Sequence, residues 1–336
     1  MSDEIFRIVP VDHSNAALVG DVFRTAYGDA FPVGYVYQPD ALLQEISQGR
    51  LAAALAMDGE KRAAGYVSVF KSAPNPNLWE AGNLVVVPDY KHTDVSSLLF
   101  AAYFNGTLYA KEASDGLWGE AVCCHYFTQV GNIKSGAADV ALELDQLDGP
   151  SFIGNHTGSA RVSCVLGFLE GNAPGSPTYV PAIYAPILEK LLQPLYPRVT
   201  LHATAPLPAA GLTRHVERYY EPVRTWKISV QSIGADWQNV AAGIMTEAKR
   251  RGVISLQIIM NMDCPHLDAA VQVLKSQGFF FGGLAPRWFG SDGLLMQQVL
   301  GQAPEYEHMK LYSAAAKEIL AWIQAERAAM SAGTGI

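Results

Sequence analysis

At 336 residues the chain is long enough for two domains of about 150 residues each. Hydrophobic residues make up 49% and charged residues 17%, which supplies a core and excludes bulk disorder. The formal net charge of −8 argues against nucleic acid as the main partner, because phosphate binding needs a basic face.

Apolar alternation predicts a first strand over 5–9, closed by Pro10. Ser14 is a candidate N-cap for a helix reaching Tyr27, with Leu18, Val22 and Phe23 on one side. A second short helix is expected over 41–48, and strands over 51–57 and 63–70 flank the turn signal Asp58-Gly59. A Pro/Asn loop then leads to WEAGNLVVVPDYKHTDVSSLLFAAYF, residues 79–104. Leu84, Val85, Val86 and Val87 form a β-branched apolar run between Gly82 and Pro88, which predicts a buried strand. Leu98, Leu99, Ala102 and Tyr103 fall at helical spacing and predict a helix over 96–104, capped by Thr93 or Asp94. A strand that runs directly into a helix N-terminus presents unpaired N–H groups and the positive end of a dipole, a geometry that binds anions.

This stretch resembles the strand, pyrophosphate loop and helix of the GNAT N-acyltransferases. The matching loop positions are Lys91, His92, Thr93, Asp94, Val95 and Ser96, with Asp94 where the family motif has a glycine. The resemblance implies that these six residues hold the phosphates of acetyl-CoA or another acyl-CoA. It also implies oxyanion and pantetheine contacts from the N–H groups of Val86 and Val87. The preceding order of strand, two helices, three antiparallel strands, loop and helix is that of the family. The resemblance further implies that the next strand, expected over 116–126, splays from its neighbour and opens the acceptor site.

A helix over 128–144 and a strand over 161–169 are expected to close the first half. The composition of NAPGSP, 172–177, marks a linker. A helix over 181–195 and an irregular stretch over 204–212 follow. The organisation then repeats: strand 226–233, turn Gly234-Ala235-Asp236, helix 237–251, strand 254–260, a helix over 265–277 stopped by Gly278, and strands over 279–281 and 294–299. The run AAVQVLKSQGFFFGG resembles the GNAT helix that ends in Leu-Tyr-x-x-x-Gly-Phe. A last amphipathic helix is expected over 306–330, with a frayed tail over 331–336. The expected fold class is α/β. It comprises two tandem GNAT-like domains, 1–172 and 173–336, each a mixed, mostly antiparallel sheet flanked by helices.

Acyl transfer to an amine needs a base for the ammonium, an acid for the leaving thiolate and N–H donors for the oxyanion. Glu80, just before the central strand, is the candidate base. His125 and Tyr126, at the end of the splayed strand, are the candidate acids. Arg287 beside Trp288 is a further candidate contact for a phosphate or carboxylate. Cys123, Cys124, Cys164 and Cys264 read as reduced thiols; neither they nor the eight histidines fall at zinc spacing, so no metal is expected. The opening MSDEIFRIVP lacks a signal-peptide pattern and no run of about 20 apolar residues occurs. These features predict a cytoplasmic protein with no membrane partner. The expected function is CoA-dependent N-acyl transfer to a small amine or amino-acid-like acceptor. The alternatives are a catalytically inactive GNAT-like ligand- or partner-binding protein, and an acyl-CoA enzyme of another type such as a decarboxylase. The expected partner is the small-molecule acceptor, and a homodimer is possible.

Overall fold

The computed structural model describes residues 6–29, 31, 33–149, 161–195 and 197–333. The chain divides into two compact units, residues 1–119 and 120–336. Ile5, expected to open the first strand, and the last three residues of the expected tail lie outside the described residues. Among the described residues no helix is long and apolar enough to cross a membrane.

The first unit runs β1 (Arg7–Pro10), α1 (Ala16–Tyr27), α2 (Pro39–Ser47), β2 (Leu51–Met57), β3 (Ala63–Phe70), β4 (Leu78–Val86), α3 (Val95–Ala101) and the first residues of β5 (Gly116–Val122). The strands stand in the order β1-β2-β3-β4-β5. β1 to β4 pair antiparallel, and β5 joins β4 in parallel. This is the element order that the GNAT resemblance implies. Val19, Val22 and Phe23 recur on one face of α1 and are buried against Leu42, Leu55 and Tyr66. Each such side chain contributes roughly 1.5–3 kcal/mol of hydrophobic stabilisation. Gly65 lets α3 approach the sheet: a Cβ there would lie 2.6 Å from the Val85 carbonyl oxygen and 2.7 Å from Leu99 Cδ1.

The second unit continues with α4 (Phe127–Lys134), β6 (Ala138–Asp148), β7 (Arg161–Glu170), β8 (Thr178–Val180), α5 (Ala185–Leu192), β9 (Thr200–His202), β10 (Arg214–Tyr220) and β11 (Thr225–Ser232). It ends with α6 (Trp237–Arg251), β12 (Ser255–Asn261), α7 (Leu267–Ser276), β13 (Phe280–Ala285), β14 (Gly293–Val299) and α8 (Ala314–Gly333). Its main sheet has the order β7-β6-β13-β14-β12-β11-β10, with β8 and β9 as a separate pair. β11 and β12 are parallel; β10 pairs antiparallel with β11, and β14 with β12. The succession β10, β11, α6, β12 therefore repeats β3, β4, α3, β5. The contacts divide inside β5, whereas the linker composition falls at 172–177, between β7 and β8.

Two expectations need correction here. The helix expected over 128–144 ends at Lys134; Gly136 takes a left-handed φ of 87°, and β6 follows. Val140, Leu142 and Leu144 alternate along that segment and are fully buried, which is a strand pattern. β10 was not expected, because its residues RHVERYY are polar and mostly exposed. All four cysteines are free, with Cys123, Cys124 and Cys164 buried.

The β2–β3 turn reaches toward the segment after β4. Asp58 accepts the N–H groups of Glu60 at 2.9 Å and Arg62 at 2.8 Å, Arg62 Nε at 2.7 Å and the Tyr90 hydroxyl at 2.8 Å. Burial works against its charge, but the donors prevail and bring its pKa to about 2. Its stabilising effect is therefore complete above the ordinary value of 3.8 and is lost as pH falls through about 2. Asp58→Asn should cost about 2 kcal/mol in neutral denaturant titrations, the scale of lost charge-assisted hydrogen bonds. The variant should also lose the wild type's drop in stability between about pH 4 and pH 2. An unchanged acid limb would contradict this role.

Candidate functional site

The centre of the first unit is a break in β4. Ser68 of β3 pairs with Gly82, and Tyr66 pairs with Val85, so two steps on β3 face three on β4. The extra residue makes a bulge, in which Asn83 takes a left-handed φ of 57°. Asparagine tolerates that conformation better than most side chains. The bulge is tied down on both sides. Asn83 Nδ2 donates to Ser68 Oγ at 3.2 Å, and the Tyr103 hydroxyl donates to the Gly82 carbonyl at 2.9 Å.

Beyond the bulge the ladder to β3 resumes, and the Val87 N–H donates to the Ala64 carbonyl at 2.9 Å. Backbone N–H groups alternate in direction along an antiparallel strand. The Val86 N–H therefore points away from β3, toward the other edge of β4. On that edge β5 pairs only from Leu78 to Ala81, opposite Gly116 to Gly119. The two strands part where the bulge begins, as the resemblance implies. Of the two expected N–H donors, Val87 is corrected: its N–H belongs to the ladder, and Val86 offers the one that faces the open edge.

The chain then turns through Pro88–Tyr90 and enters α3. The Thr93 N–H donates to the Tyr90 carbonyl at 3.1 Å, and the Val95 N–H to Thr93 Oγ1 at 3.4 Å. Thr93 and the buried Val95 thus shape the loop. Among the described residues the backbone N–H groups of His92, Asp94 and Ser96 have no partner. The side chains of Lys91, His92 and Asp94 are exposed.

Glu80 lies on β4 two residues before the bulge, in register with Phe70 and Trp118. It faces two tyrosines that the sequence did not single out. Burial pushes the Tyr35 hydroxyl up to about 12, and Glu80 adds to the effect. The Tyr103 hydroxyl is also pushed up, by burial first and then by Tyr66 and Glu80. The Asn83 side chain offsets part of the Tyr35 shift, and Glu80 acts on both tyrosines.

His125 and Tyr126 belong to the second unit, just beyond the end of β5. The buried Gln129 amide fixes their turn: Nε2 donates to the carbonyls of Val122 at 3.1 Å, His125 at 3.0 Å and Lys310 at 2.8 Å. His125 Nδ1 is buried without a hydrogen-bond partner among the described residues. Burial lowers its pKa, and the Lys310 charge lowers it further, both favouring the neutral ring. Tyr126 is 47% exposed, its ring 6.5 Å from that of Tyr312.

Arg287 is not a phosphate contact. Its side chain is 1% exposed. Nε donates to Glu170 at 2.8 Å, and the two remaining nitrogens donate to the carbonyls of Pro174 at 2.5 Å and Ala173 at 2.9 Å. Arg198 completes the cluster by pairing with Asp292 and Glu170. Trp288 Nε1 donates to Ser229 Oγ at 2.8 Å. These residues hold the interior of the second unit.

The second unit's own copy of the motif is shut. β11 and β12 stay paired over six consecutive positions, Thr225–Val230 with Ser255–Met260. The loop before α6 is covered by its own chain: the Gly234 N–H donates to Thr213 Oγ1 at 3.0 Å and the Ala235 N–H to the Gly211 carbonyl at 3.0 Å. A Cβ on Gly234 would lie 2.4 Å from the Leu212 carbonyl carbon, so that cover sits directly on the turn. On β11 a buried Lys227 lies 2.8 Å from Glu120 and 2.9 Å from Glu143. Burial drives the Glu143 carboxyl up, with the Glu120 charge adding to the rise against the Lys227 ammonium.

The chain matches no protein-family model and no curated protein. It is similar to solved acetyltransferases. The ribosomal-protein-S18-alanine N-acetyltransferase of Escherichia coli is 12% identical, with a TM-score of 0.37 over 51% of this chain and 97% of that one. Arabidopsis thaliana NAA60, solved with a bisubstrate analogue, is 14% identical, with a TM-score of 0.35 over 49% and 98%. Spermidine/spermine N-acetyltransferase SpeG of Vibrio cholerae is 8% identical, with a TM-score of 0.37 over 49% and 92%.

The environment of His125 has a direct readout. Its NMR titration midpoint should lie below the ordinary 6.5, and Lys310→Ala should raise it without restoring 6.5, since the burial remains. A wild-type midpoint at or above 6.5 would contradict the described burial.

Proposed function

We propose that the first unit binds an acyl-CoA and transfers its acyl group to a small amine. One observation carries this reading. The bulge in β4 turns the Val86 N–H onto an edge that β5 has left, beside a loop whose His92, Asp94 and Ser96 N–H groups have no partner among the described residues. The Val86 N–H suits the thioester oxygen, where negative charge develops during attack. The loop N–H groups suit phosphate oxygens, with Lys91 supplying a positive side chain. The closed copy of the motif in the second unit offers neither.

Glu80 is the base of this reading. It takes the proton from the acceptor ammonium, and the freed amine nitrogen attacks the thioester carbonyl carbon. The carbon–sulfur bond then breaks, the nitrogen gives up its second proton as the amide forms, and the sulfur leaves with a proton. Tyr35, whose hydroxyl burial keeps protonated, is the donor of this reading. Asp94 favours a second reading, a unit that holds its ligand without turnover, because it adds negative charge where the phosphates would lie.

Glu80→Gln should lower turnover by about 10²–10⁴, the usual loss for a general base, with acyl-CoA affinity almost unchanged. Full turnover in that variant would remove Glu80 from the mechanism. Asp94→Gly should tighten CoA binding in calorimetry, and the gain should shrink as salt rises. Equal or weaker binding would remove the loop. Tight acyl-CoA binding without turnover on any amine tested would select the second reading.

A further inference from the structure

The second unit holds an open cleft of about 610 Å³ that the proposed reaction does not use. Its size is that of ordinary small-molecule sites. Asp145 and Asp148 come from the end of β6, Arg224 from the turn before β11, Lys249 from the last turn of α6, and Glu305 from the segment after β14. Val253, Ile254 and Leu300 supply an apolar wall.

The cleft is built with effort. Asp145 and Arg224 both take left-handed backbone conformations, φ 52° and 50°, though neither is glycine. One side chain holds both. Arg161 donates to the Asp145 carbonyl through Nε at 3.0 Å and Nη2 at 2.6 Å, and to the Val223 carbonyl through Nη2 at 2.8 Å. Ser163 Oγ accepts the Asp145 N–H at 3.0 Å. Arg161 is thereby committed to the floor of the cleft. The lining thus carries three acids, Asp145, Asp148 and Glu305, and three bases, Arg161, Arg224 and Lys249, since Arg161 keeps its charge while it binds the two carbonyls.

This charge pattern selects the ligand. A simple anion or a simple cation would meet as many like charges as opposite ones. A metal ion is disfavoured, since among the described residues no group of three His, Cys, Asp or Glu side chains is placed to hold one. We propose that the cleft binds a zwitterion of the amino-acid class with an apolar side chain. Its ammonium would lie at Asp145 and Glu305, its carboxylate at Arg224 and Lys249, and its side chain against Val253, Ile254 and Leu300. Burial raises the Asp145 carboxyl to about 6, with Arg161 and Arg327 opposing and Glu305 adding, which marks a carboxylate that gains from an incoming cation. The cleft has room for one residue or two, so a free amino acid and a dipeptide share the same chemistry.

Calorimetry on the full chain at neutral pH, with L-leucine, L-leucyl-L-leucine, isoamylamine and 4-methylpentanoate, tests the proposal. At least one zwitterion should bind, and both single-headed probes should bind about tenfold more weakly or worse. The stronger of the two zwitterions identifies the ligand's length. Asp145→Asn preserves the left-handed backbone and should weaken that zwitterion about tenfold or more. Lys249→Ala, on an exposed position, should weaken it with no change in melting temperature. The proposal is overturned if neither zwitterion binds. It is equally overturned if the amine alone binds as well as the zwitterion, or if Lys249→Ala leaves the affinity intact. None of these outcomes depends on acyl-CoA binding in the first unit.

Discussion

The geometry of the first unit depends on one extra residue in β4. Asn83 occupies a backbone conformation that most side chains avoid, and the fold holds it there with Ser68 on one side and Tyr103 beside it at Gly82. Without the bulge, residues after Gly82 would keep the earlier register, and every N–H downstream would change edge. With it, the Val86 N–H faces the side that β5 leaves after Ala81. The same displacement carries the chain into a loop whose N–H groups are only partly used. A local distortion thus precedes the two features that the proposed function uses, a strand N–H on the open edge and a loop with N–H groups that have no partner among the described residues.

The second unit shows what the same succession does without that distortion. β11 and β12 pair in register for six positions, and the segment 211–213 takes the N–H groups of the loop before α6. The buried Lys227 between Glu120 and Glu143 adds a charged core where removal of one member would strand the others, a loss of about 3–5 kcal/mol. The motif of this second copy is closed by its own chain. Its polar residues serve packing, as the buried Arg287 network also does.

Regular elements were legible in the sequence wherever burial imposes a period. α1, α6 and α7 follow the 3.6-residue recurrence, and β2, β3, β11 and β12 follow apolar runs bounded by turn residues. The failures have physical causes. Gly82-Asn83 interrupts the apolar run, so the strand was read from Leu84, yet those residues are the bulge and β4 begins at Leu78. β6 alternates but contains helix-forming Ala, Leu and Glu, which masked the strand. β10 carries charge on both faces and shows no buried period. Of the proposed site, Glu80 and the loop were visible. Tyr35 and Tyr103 were not, because their approach to Glu80 is a tertiary event. Arg287 misled for the same reason: its carboxylate partner lies 117 positions away.

The account's central claim is that the open β4 edge and its loop, and not their closed counterpart in the second unit, receive the ligand. Amide ¹H–¹⁵N spectra recorded during titration with CoA and with an acyl-CoA test it most directly. The account predicts large shifts at Val86, His92, Asp94 and Ser96, with Gly234 and Ala235 unmoved. Shifts confined to Gly234 and Ala235, or no shifts at the first four amides under saturating ligand, would contradict it.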